Sequence, residues 1–180
     1  MSEAKTPSVL NLGSGKVPRP GAVNVDISPN VGADIVHDLS KFPWPLSNET
    51  FDEVWMTDVI EHLPDTLATM EELHRICRDG AVIHIVTPHF SSSNSFTDPT
   101  HRQHLGMFSF DYFTGDSIHD HYTNVRFRYA RKLLTFLPGP KNTVMRRVAN
   151  RWPAFYERNL CWILPAWFMS IDLVVVKTVH

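Results

Sequence analysis

Two stretches of this 180-residue chain bring together side chains that could do chemistry. In "PHFSSSNSFTDPTHRQH" (88–104), His89 and His101 have the side-chain type of a general base, and Asp98 could orient a histidine. Asp98 also precedes Pro99, as in an ordinary turn. In "SVLNLGSGKVPRPGAVNVDIS" (8–28), Gly13, Ser14 and Gly15 follow one apolar run, and Asp26 closes a second, 11 residues after Gly15. Glycines after a first strand let the backbone approach a ligand closely. An acid ending the second strand accepts hydrogen bonds from ribose hydroxyls.

The chain has 10 histidines, which invites a metal reading of His89, His101 and His104, or of His119 with His121. No pair has i, i+4 helical placement with a glutamate between, and no cysteine supports them, so no metal site is expected. His37, His74 and His84 lie inside expected strands or helices and read as packed or capping residues.

These side chains need a scaffold, and the alternation of short apolar runs with polar breaks outlines one. Runs 8–12, 22–27, 33–39, 51–57 and 81–88 read as strands. Between the last two, Leu67, Met70, Leu73, Ile76 and Cys77 recur at helical spacing, with Pro64 and Asp65 suited to a first turn and Gly80 to a C-terminal stop. Strand, helix, strand in that order means a parallel crossover. Beyond 90 comes a polar loop, then a short helix at "FSFDYFTG", a strand within 124–137, a helix at "KNTVMRRVANR" and a valine-rich final strand that reads as covered on both faces. The expectation is an α/β fold with a doubly wound, mainly parallel Rossmann-like sheet, as a single domain over 1–180, with a cofactor-binding half at 8–88 and a substrate-side half at 89–180.

The pattern resembles the class I S-adenosylmethionine-dependent methyltransferases, in particular their small type 11 branch, over nearly the whole chain. The residues that carry the resemblance are "VLNLGSGK", "VNVDIS", "IVHDL", "FDEVWMTDVIEHL" and "MEELHRICRDGAVIHIVTP", five matches in register. The resemblance implies S-adenosyl-L-methionine as cofactor. Gly13, Ser14 and Gly15 would contact its methionine end, Asp26 its ribose, Ile27 and Leu39 the faces of adenine, and Asp38 the adenine amino group. Asp58, Val59 and His62 would close the pocket beyond the fourth strand.

Two features depart from that pattern. Asn11 stands where many relatives have an acid, and only about ten residues, with Pro18 and Pro20 among them, join the first strand to the second. Parallel crossovers normally need a dozen or more residues and usually hold a helix, so the first helix is expected to be missing or a single turn. The cofactor's carboxylate would then lack a helix N-terminus, and Lys16 or Arg19 could supply a cation instead.

Charge is distributed unevenly. Residues 1–125 hold 7 Lys and Arg against 17 Asp and Glu, whereas 126–158 hold 9 against Glu157 alone. The basic segment suits a phosphate-bearing substrate, nucleic acid or an anionic membrane surface, or balances the acidic half as a solvated face. The aromatic run "RWPAFYERNLCWILPAWFM" reads either as an apolar wall or membrane-contacting patch for a lipid-linked acceptor, or as cover for the sheet face that lost its first helix. The polar start "MSEAKTPS" lacks the features of an export signal, and Cys77 and Cys161 read as reduced thiols, so a cytoplasmic enzyme is expected. It would methylate a small-molecule, sugar or lipid-linked acceptor. The alternatives are a cofactor-holding protein without turnover, a nucleic-acid methyltransferase, and an interaction module without cofactor.

Overall fold

A computed structural model describes residues 8–115 and 120–177. The polar start of the chain and His119 lie outside these residues. The strands are β1 (Val9–Leu12), β2 (Ala22–Asp26), β3 (Ile35–Val36), β4 (Phe51–Thr57), β5 (Cys77–Pro88), β6 (Arg126–Leu134) and β7 (Phe168–Val176). The helices are α1 (Thr66–Ile76), α2 (Asn94–Thr97), α3 (Pro140–Arg151) and α4 (Pro153–Asn159). The sheet runs β3-β2-β1-β4-β5-β7-β6, parallel from β3 to β5, with β7 antiparallel to both its neighbours. It is therefore a mixed, mainly parallel α/β sheet of Rossmann-like design.

Helix α1 starts where Asp65 caps it, its carboxylate accepting from the Ala68 amide at 2.9 Å. It buries Met70, Leu73 and Ile76 and stops at Ile76 rather than at Gly80. Gly80, at φ +76°, sits inside β5, which begins directly at Cys77 because Cys77 pairs with Phe51 of β4. The "FSFDYFTG" segment supplies only one 3-10 turn, Asp111–Phe113.

No helix joins β1 to β2. Instead, the sheet's two faces differ. Leu10, Leu12, Val54, Met56, Ile83, Ile85, Ile171 and Leu173 are all 0% exposed and form the core on one face. On the other face, neighbours in register make a half-buried polar row: Asn24, Asn11, Trp55, His84 and Asp172. Asn11 donates to Asn24 at 3.0 Å, Trp55 stacks on His84 with centroids 4.1 Å apart, and His84 Nδ1 is 2.9 Å from an Asp172 oxygen. The Arg19 guanidinium lies 3.9 Å over the Trp55 ring. Arg19 and Trp55, not the C-terminal aromatics, thus cover the place of the missing helix. This row also explains why β7 is not buried on both sides: its odd-numbered residues from Met169 to Val175 are buried, and the alternate ones are half-exposed.

Of the C-terminal aromatics, Tyr156 is fully buried and donates to the Leu164 carbonyl at 2.8 Å, whereas Trp152, Phe155 and Trp162 remain exposed. His74 meets Phe127 edge-on and lies 3.1 Å from the Val176 carbonyl, a packed position.

If Trp55 holds the open face together, Trp55→Ala should lower unfolding free energy by about 2 kcal/mol. Urea denaturation followed by circular dichroism measures this. An unchanged midpoint would show that the polar row contributes nothing.

Candidate functional site

A cleft of about 560 Å³ opens at the C-terminal ends of β1, β2 and β4. Gly13, Asp26, Ile27, His37, Asp38, Leu39, Asp58, Val59, His62, Pro99, Thr100 and Arg102 are among its lining residues. It sits where open α/β sheets place ligands, outside the carboxyl ends of strands flanking the point where strand order reverses.

The loop after β1 is held rigidly. Gly13 and Ser14 both donate to the Val25 carbonyl, at 2.8 and 3.1 Å. Gly13 has φ +65°, and a Cβ there would come within 2.3 Å of a Val59 methyl, so only glycine fits. Asp26 ends β2 with each carboxylate oxygen accepting one amide, Gly15 N and Ser28 N, both at 2.9 Å. Each oxygen retains a second lone-pair direction for a ligand hydroxyl. Asp38 accepts from the Ser40 amide and hydroxyl, which lowers its pKa.

Of the other residues read from sequence, Ser14, Gly15, Lys16, Asp98, His89 and His101 do not line the cleft. Ser14 is buried below it with its hydroxyl unpartnered. Lys16 is exposed, and Arg19 is engaged by Trp55. Among the described residues, the one Lys or Arg lining the cleft is Arg102, which the sequence analysis does not single out. His89 is 0% exposed, lying 2.8 Å from Ser91 Oγ and 3.2 Å from Glu157. That position pins α4 against the end of β5 and removes His89 from any acceptor.

His101 stands at the rim, its ring edge-on to His62 with centroids 4.7 Å apart. Its Nδ1 lies 3.2 Å from the Ser95 carbonyl, which can only accept, so Nδ1 donates there and Nε2 carries the lone pair in the neutral ring. Asp98 orients the other histidine. The Thr100 hydroxyl donates to Asp98 at 2.6 Å, so its oxygen accepts from His62 Nδ1 at 2.9 Å, which directs the Nε2 lone pair of the neutral ring outward. The Arg102 and Gln103 amides donate to the Glu61 carbonyl at 2.7 and 3.0 Å, tying this loop to the 3-10 turn Ile60–His62.

Glu61, unnoticed in the sequence, is the anomaly. It is 1% exposed, and neither carboxylate oxygen has a hydrogen-bond partner. Burial, reinforced by the nearby Asp58 carboxylate, pushes its pKa up to about 7. Asp58 is itself raised by burial and adopts φ +53°, a conformation unusual outside glycine.

The fold and cleft define a Rossmann-like α/β protein with an open cleft at the strand exits. A family model described as a methyltransferase domain matches residues 8–164, and the chain belongs to that family. No curated protein matches it. Among solved structures it is similar to a SAM-dependent methyltransferase from Archaeoglobus fulgidus, at 17% identity and TM-score 0.55, covering 94% of this chain and 86% of that one. It is likewise similar to an S-adenosylmethionine-dependent methyltransferase from Mesorhizobium loti, at 13% identity and TM-score 0.56, covering 97% and 93%. The cyclase SpnF shares the fold at 11% identity and TM-score 0.59, covering 96% and 76%.

The raised Glu61 pKa carries a signed consequence for stability. An ordinary glutamate titrates at 4.5, so the native state holds this proton more tightly than the unfolded chain does. The stabilisation is therefore complete below about pH 4.5 and lost as pH rises through about 7. Glu61→Gln cannot titrate, so its melting temperature relative to the parent should rise between about pH 5 and about pH 8, measured with a chelator present. A constant difference would show that Glu61 is ionised and solvated.

Proposed function

We propose that the chain transfers a methyl group from S-adenosyl-L-methionine to an oxygen-bearing small-molecule, sugar or lipid-linked acceptor. The observation that carries this reading is the pairing of the Gly13 loop with Asp26 beneath one cleft. The residues fit the cofactor. Asp26 has acceptor capacity left for two ribose hydroxyls, Ile27 and Leu39 offer apolar contact to a purine, and the unpartnered Ser14 hydroxyl lies under the loop. Asp38 is held by Ser40 as an ionised acceptor for an exocyclic amine.

The loop amides leave nothing for the methionine carboxylate, because Gly13 and Ser14 bond Val25 and Gly15 bonds Asp26. Without a following helix, Arg102 is the cation placed in the cleft to meet that charge, ahead of Lys16 and Arg19. When bound, the cofactor supplies an electrophilic methyl group on a sulfonium. The protein's part is to align an acceptor, exclude water and manage the acceptor's proton. The His62–His101 rim is where an acceptor hydroxyl would be held and its proton released.

Titration calorimetry with S-adenosylhomocysteine tests the reading. Micromolar binding is expected, weakened by at least about tenfold in Asp26→Ala, since a hydrogen bond to a charged group contributes about 1.5–3 kcal/mol. Equal affinity in the variant would overturn the assignment of Asp26, and no binding at all would favour an interaction module.

The exposed Trp152, Phe155, Trp162 and Ile163, set among Arg146, Arg147, Arg151 and Arg158, favour a lipid-linked acceptor within that class. Flotation with vesicles containing anionic lipid should carry the chain upward, less so at high salt and in Trp162→Ala. Absence of flotation would overturn the lipid reading, and salt-sensitive binding to nucleic acid in its place would favour a nucleic-acid acceptor.

A further inference from the structure

Folding makes a donor set that none of the sequence groupings contains. A carboxylate oxygen of Glu61 and one ring nitrogen each from His62 and His101 all lie within 4.8 Å of one another. His62 also lines the cleft. We propose that Glu61, His62 and His101 bind a divalent transition-metal ion at the rim of the cofactor cleft, and that its remaining coordination positions take the oxygen of the methyl acceptor. The acceptor role rests on the methyl-transfer reading above; the metal site does not.

Two independent features point to a cation. The first is Glu61 itself: a carboxylate 1% exposed, with only the Thr87 hydroxyl and Asp58 near it and no hydrogen bond of good geometry, is costly to hold, and a bound cation removes that cost. The second is the tautomer of the two rings. Metal-ligating histidines as a rule donate their other N–H to a carbonyl or to a carboxylate relay, which fixes ring orientation. His101 does so to the Ser95 carbonyl, and His62 does so through Thr100 to Asp98.

One carboxylate and two imidazoles suit zinc, iron(II), cobalt(II) or manganese(II), and three protein ligands leave positions open to substrate, as in catalytic rather than structural sites. Ligand distances near 2.1 Å require donors roughly 3.4 Å apart, so the side chains must close by about an ångström on binding. Glu61 and His62 sit on one short 3-10 turn and His101 on the loop tied to it by the Arg102 and Gln103 amides, so the movement needs no change in the sheet. An acceptor hydroxyl entering an open position is acidified by the dication. Its O–H bond breaks, the proton passes to solvent, and the electron pair stays on oxygen as the nucleophile.

Cobalt(II) is the probe, added to chelator-treated full-length protein without cofactor. Visible d–d bands saturating at one ion per chain are expected, and Zn²⁺ should displace them. Glu61→Gln and His101→Asn should each weaken Co²⁺ binding by about tenfold or more. Thr100→Val alters an exposed residue and leaves all three ligands in place, so it should weaken binding severalfold through His62 orientation without loss of folding by circular dichroism. His104→Asn, outside the set, should change nothing. Absent d–d bands, or bands with equal affinity in Glu61→Gln and Thr100→Val, would overturn the site. S-adenosylhomocysteine binding is read separately, so failure of the metal site and failure of the cofactor reading are told apart.

Discussion

The position of β1, paired in parallel between β2 and β4, is the constraint on which the site depends. It brings the loop after β1 against the exits of both neighbours at once, so that Gly13 bonds Val25 on one side and abuts Val59 on the other. A side chain at residue 13 would push β4's exit away, and with it Asp58, Glu61 and His62. The Gly15 amide then fixes the Asp26 carboxylate in place. The cleft is thus a consequence of strand order more than of any one binding residue.

The short crossover between β1 and β2 has costs that appear elsewhere in the molecule. Without a helix, one sheet face cannot be a purely apolar core, and the chain places on it a polar row in which most side chains are partnered across the strands. Trp55 provides the area, and Arg19, rising from the same crossover, caps it. This use of Arg19 also removes it from the cofactor side. On the proposed reading, the anion-binding role that a helix N-terminus would have played would fall to Arg102, which lines the cleft from the loop after β5.

That loop is bonded to the turn after β4. Asp98 and Thr100 hold His62 from across the cleft, while Arg102 and Gln103 bond the Glu61 carbonyl. The acid–base groups at 98–101 and the 3-10 turn at 60–62 therefore form one unit, and methyl transfer with a metal-held acceptor is a reading of that unit as a whole. SpnF, named a cyclase, shares the fold, so the sheet by itself does not fix the chemistry.

Much of this was legible in local sequence. Glycines after an apolar run, an acid after the next, and helical spacing between two strands are short-range signals, because strand period, capping and backbone freedom are set within a few residues. They sufficed for the α/β class, the missing first helix and the lining role of Gly13 and Asp26, whereas Asp58 came only with the family resemblance. Helix α1's end was misplaced because β-pairing of Cys77 with Phe51, a long-range contact, overrode the turn signal of Gly80. His89 looked equivalent to His101, yet its partner Glu157 lies 68 residues away and buries it. Glu61 carried no sequence signal at all, since a glutamate in a polar turn is ordinary until packing strips it of water. Which histidines meet, which carboxylate is left without a partner, and which cation faces the ligand were decided only when residues some forty positions apart were brought to one rim, because burial and convergence are properties of the assembled core.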